Sequence, residues 1–221
     1  LNFFLFPSHK CMALLLFDSV RDSFKAVPYI HEHGPSAVET LDDVLLELGS
    51  QNPALASLMT WVKGNPKAVL MVEFDGESEA EMLKSLYSLQ GDSRVSSMSY
   101  HTHLAMNAKE QGEILELRKA GLGIYYTMKG DAKPVAFIED AAIPPEHLAD
   151  YIPEVLETCK KYGVKAVMYG HASVGVIHIR PILDMKKAED LEKFKHISEE
   201  TFELVKKYGG SWSGEHGDGL V

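Results

Sequence analysis

Apolar residues along this chain follow two patterns. Some form short unbroken runs, and others recur at helical spacing over longer stretches. The run Ala13-Leu14-Leu15-Leu16-Phe17 reads as a strand buried on both faces. Residues 19–30 then read as an amphipathic helix capped by Asp18 or Ser19. Residues 36–39 predict a short strand, followed by helical stretches over 41–48 and 53–61. A second unit repeats the first, with a strand over 67–74, a helix over 77–89 and a strand over 94–101. Asp75 and Ser78 occupy the strand-to-helix junction as Asp18 and Ser19 do, so the two aspartates read as helix caps. Duplicated β–α–β units predict an α+β, ferredoxin-like fold, an antiparallel sheet with helices packed on one face.

The second half continues the alternation. Residues 107–126 read as a helix whose end Gly121 and Gly123 weaken. A strand over 133–139 and a helix over 145–162, entered through prolines, come next. Strands over 164–169 and 176–181 precede the clearest helix, 188–208. There Leu191, Phe194, Ile197, Thr201, Leu204, Val205 and Tyr208 form one stripe, and Gly209 and Gly210 end it. No linker interrupts the chain, so residues 1–221 read as one domain.

Charge narrows the function. A net charge of -10 over 221 residues argues against nucleic-acid binding, which needs clustered Lys and Arg. An anionic substrate would need a local cationic site. Cys11 and Cys159 are too few for an iron–sulfur or cysteine-rich zinc site, and they suggest a reduced, cytoplasmic setting. No apolar run reaches the roughly 18 residues of a membrane span. The apolar start, residues 1–6, lacks signal-peptide features and reads as a strand beginning mid-fold. The glycine-rich end, residues 217–221, stops abruptly, and both ends read as cuts through a longer chain.

The chemistry concentrates in two segments. In Gly170-His171-Ala172-Ser173-Val174-Gly175-Val176-Ile177-His178-Ile179-Arg180-Pro181, a turn at residues 173–175 would fold the segment into a hairpin. His171 and His178 would then come within reach of one divalent ion such as zinc, with a third ligand required. Ser213-Gly214-Glu215-His216-Gly217 supplies a carboxylate and another imidazole between glycines that permit close approach to a flat ligand. Neighbouring residues on extended chain point opposite ways, so Glu215 and His216 read as having different tasks. The pairs His31/His33 and His101/His103 read as solvated loop histidines.

Together these segments resemble the C-terminal half of the FAD-linked oxidases, a family that includes D-lactate dehydrogenases, glycolate oxidases and D-2-hydroxyglutarate dehydrogenase. Leu183-Asp184-Met185, Leu117-Arg118 through Gly123, and Lys133 through Pro144 add to the resemblance, which runs from about Ala13 onward. The resemblance implies a cap over a flavin held mainly by an upstream FAD-binding domain absent from this sequence. It implies His171, His178 and Glu215 as ligands of a divalent metal, and His216 as the base that takes a hydroxyl proton. Arg118 is implied to hold the substrate carboxylate, and Gly214 and Gly217 to lie against the cofactor. The implied substrate is a small D-2-hydroxy acid oxidised to the 2-oxo acid. The fragment alone is expected to be inactive. An iron–sulfur electron acceptor is the implied partner, and any membrane association would come through it.

Two features depart from the family pattern. Relatives carry His-x-Gly-Asp-Gly-Asn-x-His, whereas Ser173 replaces the first glycine here and Val174 and Val176 stand at the acidic and amide places. Lys133 reads as a strand-edge lysine in preference to a second substrate cation. A self-sufficient metal-dependent hydrolase and a non-catalytic ferredoxin-like binding module are the rival readings.

Overall fold

A computed structural model describes residues 9–217. The opening apolar segment, residues 1–6, and the last residues, 218–221, lie outside the described residues. The strands are β1 (His9–Phe17), β2 (Ala37–Asp42), β3 (Ala68–Gly76), β4 (His101–Ala105), β5 (Lys133–Pro134), β6 (Ala166–His171) and β7 (Val176–Leu183). The helices are α1 (Val20–His31), α2 (Asp43–Gln51), α3 (Pro53–Ala56), α4 (Glu79–Gly91), α5 (Ser93–Ser96), α6 (Ala108–Tyr125), α7 (Leu148–Lys161) and α8 (Ala188–Lys207).

One antiparallel sheet runs in the order β4-β1-β3-β2-β6-β7-β5. Its first four strands, with α1 and α4 as crossovers, give the ferredoxin-like order expected from the repeat. The hairpin β6–β7 extends this sheet at the β2 edge. β1 is an interior strand, flanked by β4 and β3 and buried on both faces, which explains its unbroken apolar run.

Helices cover both faces of the sheet, a correction to the one-face arrangement. Cys11, Ala13, Leu15 and Phe17 belong to a core shared with α1, α4, α7 and α8. Met12, Leu14 and Leu16 point the other way and pack with Leu45 and Leu46 of α2, Trp61, and Ile114 and Leu117 of α6. Gly121 does not weaken α6. A Cβ there would meet Leu45 Cδ1 at 2.7 Å, so the glycine admits α2 against α6.

Several boundaries move for local reasons. Ser19 and Ser78 cap α1 and α4 by accepting the N–H of Asp22 and Glu81, so Asp18 and Asp75 are not the caps. Residues 94–96, expected in a strand, lie in α5 under the Asp92 cap, and β4 begins only at His101. The strand expected over 133–139 stops at Pro134, and residues 135–143 cross to the site as irregular chain. His33 is not a solvated loop histidine. Its side chain is 10% exposed and bonds Ser88 Oγ and Asp92. His103 likewise meets Glu110 at 2.6 Å. Both cysteines are free and buried. Among the described residues no helix is long and apolar enough to cross a membrane.

Candidate active site

The hairpin forms as the glycine spacing predicts. A 3-10 turn over Ala172–Val174 ends at Gly175, whose φ of 76° favours glycine. A Cβ on Gly175 would sit 1.7 Å from the Ile143 carbonyl oxygen, and Ile143 N–H donates to Gly175 O at 3.0 Å. The crossing segment can therefore lie directly on the turn. His171 pairs with Val176 and Tyr169 with His178, which puts both histidines on the sheet face shared with α2 and α6. Their rings meet edge to face, 5.3 Å apart.

The second segment is held in place by Asp140, a residue the sequence patterns did not single out. Its carboxylate accepts Ser213 Oγ at 2.7 Å and the N–H groups of Gly214, Glu215 and His216, each at 3.1 Å. Burial pushes this carboxyl upward. The Ser213 hydroxyl and the N–H groups of His216 and Glu215 outweigh that and hold it below its ordinary value. Ser213 Oγ in turn accepts Gly217 N–H. Gly214 is tight against this chain, because an added Cβ would stand 2.9 Å from Ala142 Cβ. Gly217 has a φ of 70° with open space around it.

Three donor atoms converge as a result. Glu215 Oε2 lies 3.7 Å from His171 Nε2 and 3.9 Å from His178 Nε2. Those separations are too long for hydrogen bonds. They lie close to the ~3.4 Å between ligand atoms bound tetrahedrally to zinc at about 2.1 Å. The tautomers also fit. His178 Nδ1 donates to the Glu139 carbonyl at 3.0 Å, and a carbonyl can only accept, so the Nε2 lone pair faces the cluster. Burial pushes the His178 pKa down, although the Glu139 carbonyl that accepts its proton and the carboxylates of Glu139 and Glu215 pull upward. His171 Nδ1 meets Glu39 Oε1 at 2.6 Å, leaving its Nε2 for the cluster as well. The donor set and its free lone pairs fit a divalent metal.

His216 lies beside this cluster, its ring parallel to that of His178 with centroids 5.8 Å apart. Its side chain is 53% exposed and its Nδ1 is 3.6 Å from Asp140 Oδ1. Asp140, Glu215 and His216 form a second clustering of donor atoms, but the loop's own N–H and O–H groups already occupy the Asp140 oxygens. Arg118 reaches the edge of the site from α6, with Nε and Nη2 both donating to Glu39 Oε2. Arg180, two residues beyond His178 on the same face, is buried and paired with Glu139. Lys133 is tied to the carbonyls of Tyr126 and Met128. Sequence patterns missed Glu39 and Asp140, whose partners lie 132 and 76 positions away.

The family described as "FAD linked oxidases, C-terminal domain" matches residues 6–221. The chain belongs to that family. It is 32% identical to the D-2-hydroxyglutarate dehydrogenase of Pseudomonas putida over 228 residues, covering all of this chain and 22% of that protein. To the D-lactate dehydrogenase of Archaeoglobus fulgidus it is 28% identical, with 98% of this chain and 45% of the relative covered. To the glycolate oxidase subunit GlcD of Bacillus subtilis it is 27% identical, with 88% and 43% covered. The chain thus spans less than half the length of these relatives. In structure it is similar to 4-ethylphenol oxidase from Gulosibacter chungangensis, with a TM-score of 0.64 at 10% identity, covering 94% of this chain and 46% of that one. p-Cresol methylhydroxylase follows with a TM-score of 0.56 at 12% identity, covering 94% and 45%. These two likenesses concern the fold.

Proposed function

We propose that this chain is the substrate-side cap of a FAD-dependent dehydrogenase that oxidises a small D-2-hydroxy acid to its 2-oxo acid, with the parent's own FAD-binding domain supplying the flavin. The observation that carries the reading is the meeting of His171 Nε2, His178 Nε2 and Glu215 Oε2 beside the His216 ring. Membership in a flavin-linked family and relatives named for D-2-hydroxy acids and glycolate support it.

When bound, FAD supplies a hydride acceptor, and a divalent metal held by His171, His178 and Glu215 makes a hydroxyl easier to deprotonate. His216 takes the hydroxyl proton on a ring nitrogen while the α-hydrogen leaves with its electron pair. Arg118 keeps Nη1 for the substrate carboxylate while Nε and Nη2 hold Glu39, which fixes the α-carbon relative to His216. Gly217, with open space around it, would let the loop backbone approach the flavin, while Gly214 lets the loop pack against Ala142. The electron acceptor would be a partner of iron–sulfur type in a cytoplasmic setting, and the chain alone would not turn over.

The decisive test uses the parent protein, with D-lactate and D-2-hydroxyglutarate as substrates. His216→Ala should lower turnover by about 10²-fold or more while the flavin absorbance stays unchanged. Normal turnover in that variant removes His216 as the base. Chelator-sensitive ester hydrolysis by the 221-residue chain alone would favour a metal hydrolase instead.

A further inference from the structure

Glu39 stands directly opposite His171 in the β2–β6 ladder, and their side chains share one sheet face. Its two oxygens are divided between two partners. Oε1 takes His171 Nδ1 at 2.6 Å, while Oε2 takes Arg118 Nη2 at 2.7 Å and Nε at 3.2 Å. The Glu39 side chain is 14% exposed, and those of His171 and Arg118 are 27% exposed each, so water competes only partly for these bonds.

The geometry points to Glu39 as a positioning residue that ties Arg118 to His171 through one carboxylate. An ionised carboxylate can only accept, so it holds the proton on His171 Nδ1 and presents the Nε2 lone pair to the cluster. The same carboxylate holds the guanidinium of Arg118 by its Nε and Nη2. The side chain aimed at the metal and the side chain aimed at the substrate therefore share a common support. A change at either reaches the other without a change in fold. His178 has no such link, because a backbone carbonyl orients it. Arg118, which supplies no metal ligand, should accordingly influence the ion through Glu39 alone.

This inference rests on the metal-site reading, and the experiment separates the two. Zn²⁺ affinity of the 221-residue chain would be measured by competition with a chromophoric chelator. The His171 tautomer would be read in the metal-free chain from ring ¹⁵N chemical shifts. Glu39→Ala should weaken Zn²⁺ binding about 10- to 100-fold and move the His171 proton off Nδ1. Glu39→Gln, of the same size, must turn its amide nitrogen to either His171 or Arg118, placing donor against donor. It should give a loss that Arg118→Met in the same chain partly restores. Arg118→Met alone should weaken Zn²⁺ measurably. An unchanged tautomer together with unchanged affinity in both Glu39 variants overturns the positioning role. No Zn²⁺ binding by the wild type, with the tautomer still moving in Glu39→Ala, overturns the metal reading and leaves Glu39 as the support of His171.

Discussion

The Asp140 carboxylate accepts the backbone N–H of His216 at 3.1 Å, across 76 positions of sequence. The same carboxylate takes Glu215 N–H at 3.1 Å, so one side chain holds the backbone of both loop residues proposed to carry the chemistry.

Replacing Asp140 should therefore damage the site without touching any residue proposed to meet metal or substrate. Asp140→Asn exchanges one accepting oxygen for a donating nitrogen, which faces the loop's own N–H groups. Zn²⁺ affinity of the chain should fall about 10-fold or more, as for other groups that support a ligand. Melting temperature should change little, because the loop is mostly exposed. Chelator competition and a thermal melt check this, and wild-type affinity would show that the loop holds its shape without Asp140.

Asp42 gives a pH dependence of stability. It is 3% exposed and accepts Leu45 N–H and Met168 N–H, each at 2.8 Å, and Tyr125 Oη–H at 2.7 Å. Burial raises its pKa to about 6 despite those donors. A folded-state pKa above the unfolded one means the folded chain holds the proton more tightly. The contribution is full below about pH 4 and is lost as pH rises through about 6. Asp42→Asn leaves a donor facing Met168 N–H and should cost ~1–3 kcal/mol near pH 4. The difference from wild type should shrink by roughly 2–3 kcal/mol by pH 7. Urea unfolding at both pH values measures this, and a constant difference would contradict it.

Two glycines separate backbone strain from collision. Gly34 and Gly175 have φ values of 66° and 76°, but only Gly175 has an atom in the way, Ile143 O at 1.7 Å from an added Cβ. Gly34→Ala should cost ~1–2 kcal/mol from the left-handed conformation alone. Gly175→Ala should cost clearly more and also weaken Zn²⁺ binding, because the crossing segment that orients His178 must move. Equal losses of stability in the two variants would place Ile143 further from the turn.

The two thiols should be silent in the folded chain. Burial pushes Cys11 up to about 11 and Cys159 up to about 12, and both side chains are 1% exposed. A thiol-reactive disulfide at pH 8 should label neither until denaturant is added. Rapid labelling of one equivalent in native buffer would count against the packing around β1 or α7.

The sequence alone determined the elements whose periodicity is long and strong: the buried run of β1, helices α1, α4 and α8, and the repeat that predicts the ferredoxin-like strand order. It also marked the hairpin, because Gly175 and two histidines seven positions apart carry a local signal. Where a cap overrides propensity the pattern misleads, as at α5, which Asp92 starts where a strand was expected. Only the tertiary structure decided which groups support the site. Glu39 looks like any polar strand residue, and Asp140 like any loop acid, until β2 pairs with β6 and the chain after α8 returns over residues 140–143. The physical reason is that ligand identity is a property of a residue, whereas tautomer and lone-pair direction are set by hydrogen-bond partners far away in the chain.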